Sequence, residues 1–180
     1  CLMTSDDAWE EELRTLQNSC GSVPGPMDCF LVLRGLKTLH LRMQRHCENG
    51  EAVARHLQNH PAVAKVHWPG FEEHPGHVVA ARQMHDFGGM VAFTLAHNDL
   101  ETAKQVVAST KVFTLAESLG GVESLIGHPA TMTHASIPKE VREQTGVTDG
   151  LIRLSVGIED ISDLIADLDQ ALNQAQQAHG

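Results

Sequence analysis

The chain has no tyrosine, and aromatic residues make up only 4% of it. No phenol group is therefore available to any site it builds. Basic residues are scarce, 13 Lys and Arg against 23 Asp and Glu, for a formal net charge of −10. They do not cluster, which argues against a nucleic-acid footprint. No apolar run approaches the roughly 20 residues of a membrane-spanning helix. The opening Cys1-Leu2-Met3-Thr4-Ser5-Asp6-Asp7 has neither a basic region nor an apolar signal core. No membrane partner and a cytoplasmic setting are the expectations. The four cysteines are Cys1, Cys20, Cys29 and Cys47, and no two are separated by two residues. That spacing is neither a zinc pattern nor a disulfide framework, so reduced, mostly buried thiols are expected. The first residue is Cys rather than Met, which points to a fragment or a processed product.

What is present is the makings of a folded core. The 180 residues are 42% hydrophobic and 20% charged, too apolar for a disordered chain. Trp9, Leu13 and Leu16 are spaced for a helix over residues 7–17, capped by Asp6 or Asp7. Gly21-Ser22-Val23-Pro24-Gly25-Pro26 breaks it. From Pro26 to about Leu57 the spacing predicts a long or bent helix in one or two pieces, weakened at Gly35 and Gly50. Alternation then predicts strands at 63–67, 89–95, 112–116 and 151–156, with a short apolar strand end at 1–5. Helices are expected at 75–84, at 99–108 with Asn98 as cap, at 137–145, and from Asp160 onward. The last is the clearest: Ile161, Leu164, Ile165, Leu168 and Leu172 recur at three- and four-residue steps. The polar tail after Asn173 is expected to fray. The class is α/β, about four strands with helices on one face.

Local chemistry alone is sparse. His56 and His60, or His74 and His77, share helical spacing, but twelve histidines make such pairs common by chance, and neither pair brings a cysteine or acidic ligand at a recognised spacing. No metal is expected. Ser118 lies in Glu117-Ser118-Leu119-Gly120-Gly121, which is not a nucleophile elbow. Gly120-Gly121 lacks the Lys-Ser/Thr of a phosphate loop and reads as a tight turn. Arg153, within Leu151-Ile152-Arg153-Leu154-Ser155-Val156, is the informative charge. A guanidinium among apolar strand residues needs an anionic partner. Spacing leaves two readings open, a structural ion pair and a fork for a substrate carboxylate.

Longer motifs go further. Phe113-Thr114-Leu115-Ala116-Glu117-Ser118-Leu119-Gly120-Gly121-Val122-Glu123-Ser124-Leu125, Met132-Thr133-His134-Ala135-Ser136 and Leu151–Asp160 stand in order along the chain. Leu16-Gln17-Asn18-Ser19 and Arg34-Gly35-Leu36-Lys37-Thr38-Leu39 precede them. Together they resemble the pyridoxal-phosphate enzymes of cysteine and methionine metabolism, and within that family the trans-sulfuration enzymes of the cystathionine γ-lyase and γ-synthase type. The resemblance implies a fold type I, aminotransferase-like architecture: residues 1–22 from the end of the cofactor domain, 26–58 as a long inter-domain helix, and 60–180 as a C-terminal domain with a mostly antiparallel sheet. It implies action on cystathionine, making or breaking its Cγ–S bond, in a homo-oligomer that is typically a tetramer.

It also implies roles. Arg153 would grip the substrate α-carboxylate, which favours the fork. Ser118 would support the catalytic lysine, and Glu117 would meet the distal ammonium of cystathionine. Leu119 and Thr133 would lie beside the same substrate site, Thr133 in a structural capacity. The chain departs from the family in two respects. The Schiff-base lysine belongs to a Ser-x-Thr-Lys segment upstream, and none of Lys37, Lys65, Lys104, Lys111 and Lys139 has that context. The tyrosine that stacks on the cofactor ring is also absent. Pyridoxal 5′-phosphate is thus expected to be held mainly by polypeptide outside this sequence, and the chain alone is expected to be inactive. The alternative is a truncated remnant or interaction module without catalysis.

Overall fold

The computed structural model describes residues 2–177. The chain divides into two compact units, Cys1–His40 and Leu41–Gly180. In the first, helix α1 (Asp7–Cys20) starts where Asp6 Oδ1 accepts the N–H groups of Ala8 and Trp9 at 2.9 and 3.2 Å. It stops at Gly21, whose φ is 68°. The strand end expected at 1–5 is not there: residues 2–4 are irregular, and Cys1 lies outside the described residues. Thr4 Oγ1 takes the N–H of Asp6 at 3.1 Å, a local bond that competes with strand pairing. Helix α2 (Pro26–Leu36) begins on Pro26, as the missing N–H of proline allows. Neither helix buries a residue. On α2 the consecutive Phe30, Leu31, Val32 and Leu33 are 57, 55, 61 and 62% exposed, so its apolar surface runs round the whole circumference.

The long helix expected from Pro26 is two helices. After Gly35 the chain turns at Lys37 and Thr38, with Thr38 N–H on the Gly35 carbonyl at 3.3 Å, and α3 (Leu39–Gln58) follows. The second unit continues as β1 (Val63–His67), α4 (His77–Gln83), β2 (Met90–Leu95), α5 (Leu100–Ser109), β3 (Thr114–Leu115), β4 (Leu125–Gly127), α6 (Lys139–Gln144), β5 (Leu151–Ser155) and α7 (Ile161–Gln177). The strands form one sheet in the order β1-β2-β5-β4-β3. Every pair is antiparallel except β3–β4. The architecture is the α/β domain with a mostly antiparallel sheet that the family resemblance implied.

The sheet has five strands, not four. Leu125, Ile126 and Gly127 of β4 are all buried, so no alternation marks them. The 99–108 helix is capped by Asp99, whose side chain accepts Thr102 N–H at 2.9 Å. Asn98 instead accepts the N–H of Gly150 at 2.7 Å, tying the helix entry to the start of β5. Asp160 does cap α7, through Ser162 N–H at 2.8 Å. The tail expected to fray stays helical to Gln177, because Ala171, Leu172 and Ala175 are buried.

Paired residues of adjacent strands share a sheet face. Val91 and Phe93 of β2 pair with Leu154 and Ile152 of β5, all fully buried. With Leu95 they meet Leu57 of α3, Val106 of α5, and Leu164, Leu168 and Leu172 of α7 in one apolar core. Burying a side chain of this size contributes about 1.5–3 kcal/mol. The opposite face carries Ala92 paired with Arg153, and Thr94 paired with Leu151. Helix α3 is fastened beside the end of β5. His46 Nδ1–H donates to Val156 O at 2.7 Å, and Asn49 Nδ2 donates to the carbonyls of Gly157 and Glu159 at 3.0 and 2.9 Å. Gly50 is required there: a Cβ would lie 2.5 Å from Gly88 O and 2.9 Å from Gly89 Cα.

The thiols depart from expectation. Cys20 is exposed, and Cys29 and Cys47 are half-buried; all three are free. Partial burial is the main cause that raises the Cys47 thiol above its ordinary pKa, with Asp86 and Glu48 adding to it and a hydrogen bond to the Gly88 backbone opposing it.

Candidate functional site

Arg153 is the centre of the site. It sits mid-strand on β5, hydrogen-bonded into the sheet between Ala92 and Gly127. That register places its side chain on the face away from the helices. Its Nη2 donates to the backbone carbonyls of Glu117 at 2.8 Å and Ser118 at 3.2 Å. No carboxylate among the described residues pairs with it. The structural ion pair left open by spacing is therefore not made, and the rest of the guanidinium fork stays available.

The cleft beside it holds about 10 Å³ and is lined by Ala116, Glu117, Gly127, His128, Pro129, Met132, Thr133 and Arg153. Three of the five residues singled out in the sequence, Arg153, Glu117 and Thr133, therefore meet here. Ser118 joins through its carbonyl. Leu119 is 56% exposed and does not line the cleft. Thr133 Oγ1 and His134 Nδ1 are hydrogen-bonded at 2.8 Å. Gly127 forms part of the wall: a Cβ there would come within 3.2 Å of Ala116 O and 3.7 Å of Arg153 Nη2.

His128 was not singled out from sequence, being one histidine of twelve. It is 1% exposed. Its Nε2–H donates to the Asp149 carbonyl at 2.7 Å, so in the neutral ring Nδ1 accepts from the Thr131 hydroxyl at 2.8 Å. Burial is the main cause holding its pKa below the ordinary histidine value, against the pull of Asp149. The Asp149 carboxylate is engaged by Lys139 at 2.5 Å and by Arg142. Hydrogen bonds from Lys139 first, then Arg142, hold Asp149 below the usual aspartate range. This network secures the floor of the cleft from the α6 side.

The loop between β3 and β4 is held from β5 and the turn after it. Gly120 N–H bonds to Ser155 Oγ at 2.8 Å. Glu159 accepts both the N–H and the O–H of Ser124, at 2.6 and 2.8 Å. At its other end β3 is anchored by Asp167 of α7, whose carboxylate accepts the N–H groups of Lys111, Val112 and Phe113 at 2.7, 2.8 and 2.9 Å. Three successive N–H groups closing on one carboxylate form an anion nest.

Asp169 of α7 joins His56, at 2.6 Å, and His60, at 3.7 Å, a long-range partner that local spacing does not reveal. Among the described residues no group of three or more His, Cys, Asp or Glu is placed to hold a metal ion. The larger cavity, about 340 Å³, runs along β1 at the sheet edge and is bordered by Lys65, His67, Glu73 and His74. It contains none of the motif residues. The motif residues gather at the smaller cleft beside Arg153.

A profile described as Cys/Met metabolism PLP-dependent enzyme matches residues 1–173. Cystathionine gamma-synthase of Mycobacterium tuberculosis (strain ATCC 25618 / H37Rv) is 57% identical over 171 residues, 95% of this chain and 43% of the relative. Cystathionine gamma-lyase of Dictyostelium discoideum is 52% identical over 96% of this chain and 44% of its own length. Cystathionine beta-lyase of Coxiella burnetii is 56% identical over 90% of this chain and 42% of its own length. Among solved structures, cystathionine gamma synthase from Xanthomonas oryzae pv. oryzae, in complex with aminoacrylate and cysteine, superposes with a TM-score of 0.90 at 45% identity, covering 97% of this chain and 45% of that one. The chain thus spans less than half the length of the relatives it matches. No helix among the described residues is long and apolar enough to cross a membrane. By sequence and by fold, the chain belongs to the Cys/Met metabolism PLP-dependent enzyme family.

Proposed function

We propose that the chain supplies the substrate-gripping side of a trans-sulfuration enzyme that makes or breaks the Cγ–S bond of cystathionine. The observation that carries this is the Arg153 guanidinium, aimed by two carbonyls and free of any carboxylate among the described residues. A planar fork held this way suits an amino-acid α-carboxylate, which it can bind in bidentate fashion. Glu117 stands at the same cleft and would meet the distal ammonium. Ser118, through its carbonyl, and Thr133 complete the substrate side. Relatives named for γ-synthase, γ-lyase and β-lyase match almost equally well; all three are named for cystathionine, whose distal ammonium a glutamate at position 117 suits.

The residues around Arg153 do not fit pyridoxal phosphate itself. No lysine and no Phe, Tyr or Trp ring lines the cleft. Lys104 and Lys139 are committed to Glu101 and Asp149, and Lys65 lies at the β1 edge. In this proposal the cofactor, and the carbanion chemistry it supplies, belong mainly to polypeptide that the relatives have and this chain does not cover. Residues 1–22 would be the end of that cofactor domain, 26–58 the link, and 60–180 the small domain. The role of this chain's own residues is then to bind and orient the substrate ends. A cytoplasmic setting is supported by the free Cys20, Cys29 and Cys47.

A second reading has one observation in its favour. A helix apolar on all sides is built to be enclosed, and α2 is one. That surface suits a homo-oligomer, and it equally suits an interaction module without catalysis. The test is an absorption titration of the 180-residue chain with pyridoxal phosphate, then with cystathionine, and a calorimetric titration of the chain and its Arg153→Gln variant with cystathionine. The expected result is no band beyond free cofactor, together with cystathionine binding that Arg153→Gln weakens at least tenfold. A protein-bound cofactor band that responds to cystathionine overturns the division of labour. Undiminished binding by Arg153→Gln overturns the fork.

A further inference from the structure

We propose that Ser155 is a positioning residue for the substrate site, holding the 117–121 loop in place independently of Arg153. The inference rests on the functional reading above. Strand β3 ends at Leu115 and β4 starts at Leu125, so the residues that would read the substrate, 117–121, lie on a connection whose own backbone bonds fall outside them, from Ala116 N–H to Ile126 O and from Ile158 N–H to Val122 O, both at 3.0 Å. Two side chains two positions apart on β5, hence on one sheet face, reach that connection. Arg153 Nη2 holds its start, at the carbonyls of Glu117 and Ser118. Ser155 Oγ holds its middle, at the N–H of Gly120.

The two ties differ in what a substrate does to them. An arriving carboxylate competes for the guanidinium and redistributes its N–H bonds. If Arg153 were the sole tie, binding the substrate would loosen the loop that carries Glu117. Ser155 is neutral and 3% exposed, so its bond to Gly120 is unaffected by the incoming charge. Its backbone is clamped as well, paired with Met90 of β2 on one side and Leu125 of β4 on the other. Gly120 completes the device. Its φ of 78° lies in the left-handed region, where glycine turns without strain, and in that turn its N–H meets the serine hydroxyl. A rigid strand residue supporting a flexible contact loop is how sites keep their contact groups in register.

The test uses the isotope-labelled 180-residue chain and its Ser155→Ala and Ser155→Thr variants. Amide hydrogen exchange is read at Gly120 and at Ser124, which Glu159 holds separately. Affinity for L-cystathionine is measured in parallel. Loss of the hydroxyl should speed exchange at Gly120 roughly three- to tenfold, the scale of one hydrogen bond. Exchange at Ser124 should not change, cystathionine affinity should fall several-fold, and Ser155→Thr should restore both. If Ser155→Ala does not fold, Ser155→Cys, with its weaker acceptor, gives the same readout. Unchanged exchange at Gly120, or equal acceleration at Gly120 and Ser124, overturns the inference and leaves Ser155 an ordinary core residue. Absence of cystathionine binding by the unsubstituted chain, with the Gly120 response intact, overturns the functional reading while the loop tie stands.

Discussion

Asp167 is the group whose removal should cost the second unit most per atom. Its carboxylate is 4% exposed and accepts three successive backbone N–H groups, with Gln170 Nε2 at 3.2 Å as a fourth donor. In Asp167→Ala those donors lose their acceptor. Phe113 is buried and Val112 half-buried, so water reaches two of the three poorly. Each buried donor left unsatisfied costs about 1–3 kcal/mol, and the ends of one nest do not add independently. The expected loss is about 3–5 kcal/mol. Asp167→Asn keeps one acceptor oxygen and should lose about half as much. In urea, at about 2–3 kcal/mol per molar for a chain of this size, the alanine midpoint should drop by more than about 1 M. Asp169→Ala, two positions on and only half-buried, is the control and should shift it far less. The reasoning fails if Asp167→Ala stays within about 1 kcal/mol of the unsubstituted chain. It also fails if Asn is as damaging as Ala, because the loss would then follow side-chain charge rather than the number of acceptors.

Two further outcomes follow from the same structure. Gly50→Ala raises helix propensity by about 1 kcal/mol, yet its Cβ would fall on the rigid backbone of Gly88 and Gly89, so a net loss of about 1–3 kcal/mol is expected; a higher thermal midpoint would refute the close approach. Burial is the first cause holding His60, His67 and His128 below the ordinary histidine value. The unfolded chain therefore takes up their protons first, so stability is complete above about pH 6.5 and declines as pH falls toward the lowered folded values. Urea midpoints that do not change across that window would refute it, and His128→Asn should flatten part of the slope.

Some of this was legible from local pattern, because short-range physics suffices for it. Ile161 to Leu172 mark α7 by spacing alone, and Asp6 and Asp160 cap the helices that follow them because a cap needs only the next two or three N–H groups. Arg153 stood out as a charge in an apolar strand, and the motifs around Glu117, Thr133 and Arg153 carried the family. What escaped was whatever depends on partners distant in sequence. Strand β4 has no alternation because both its faces are covered. Asn98 looked like a cap and is tied instead to Gly150, 52 positions on. The end of α7 is polar in composition but held by buried Ala171 and Ala175. The nest at Asp167 joins positions 54 to 56 apart, and His128 is held at the cleft in part from Asp149, 21 positions on. Composition and periodicity therefore determined the helices, most strands and the presence of an anion-seeking arginine. Whether that arginine would meet a carboxylate or the carbonyls of Glu117 and Ser118, 36 and 35 positions away, was decided by sheet register. Register is a property of strands brought together by the core, and no local window contains both sides of it.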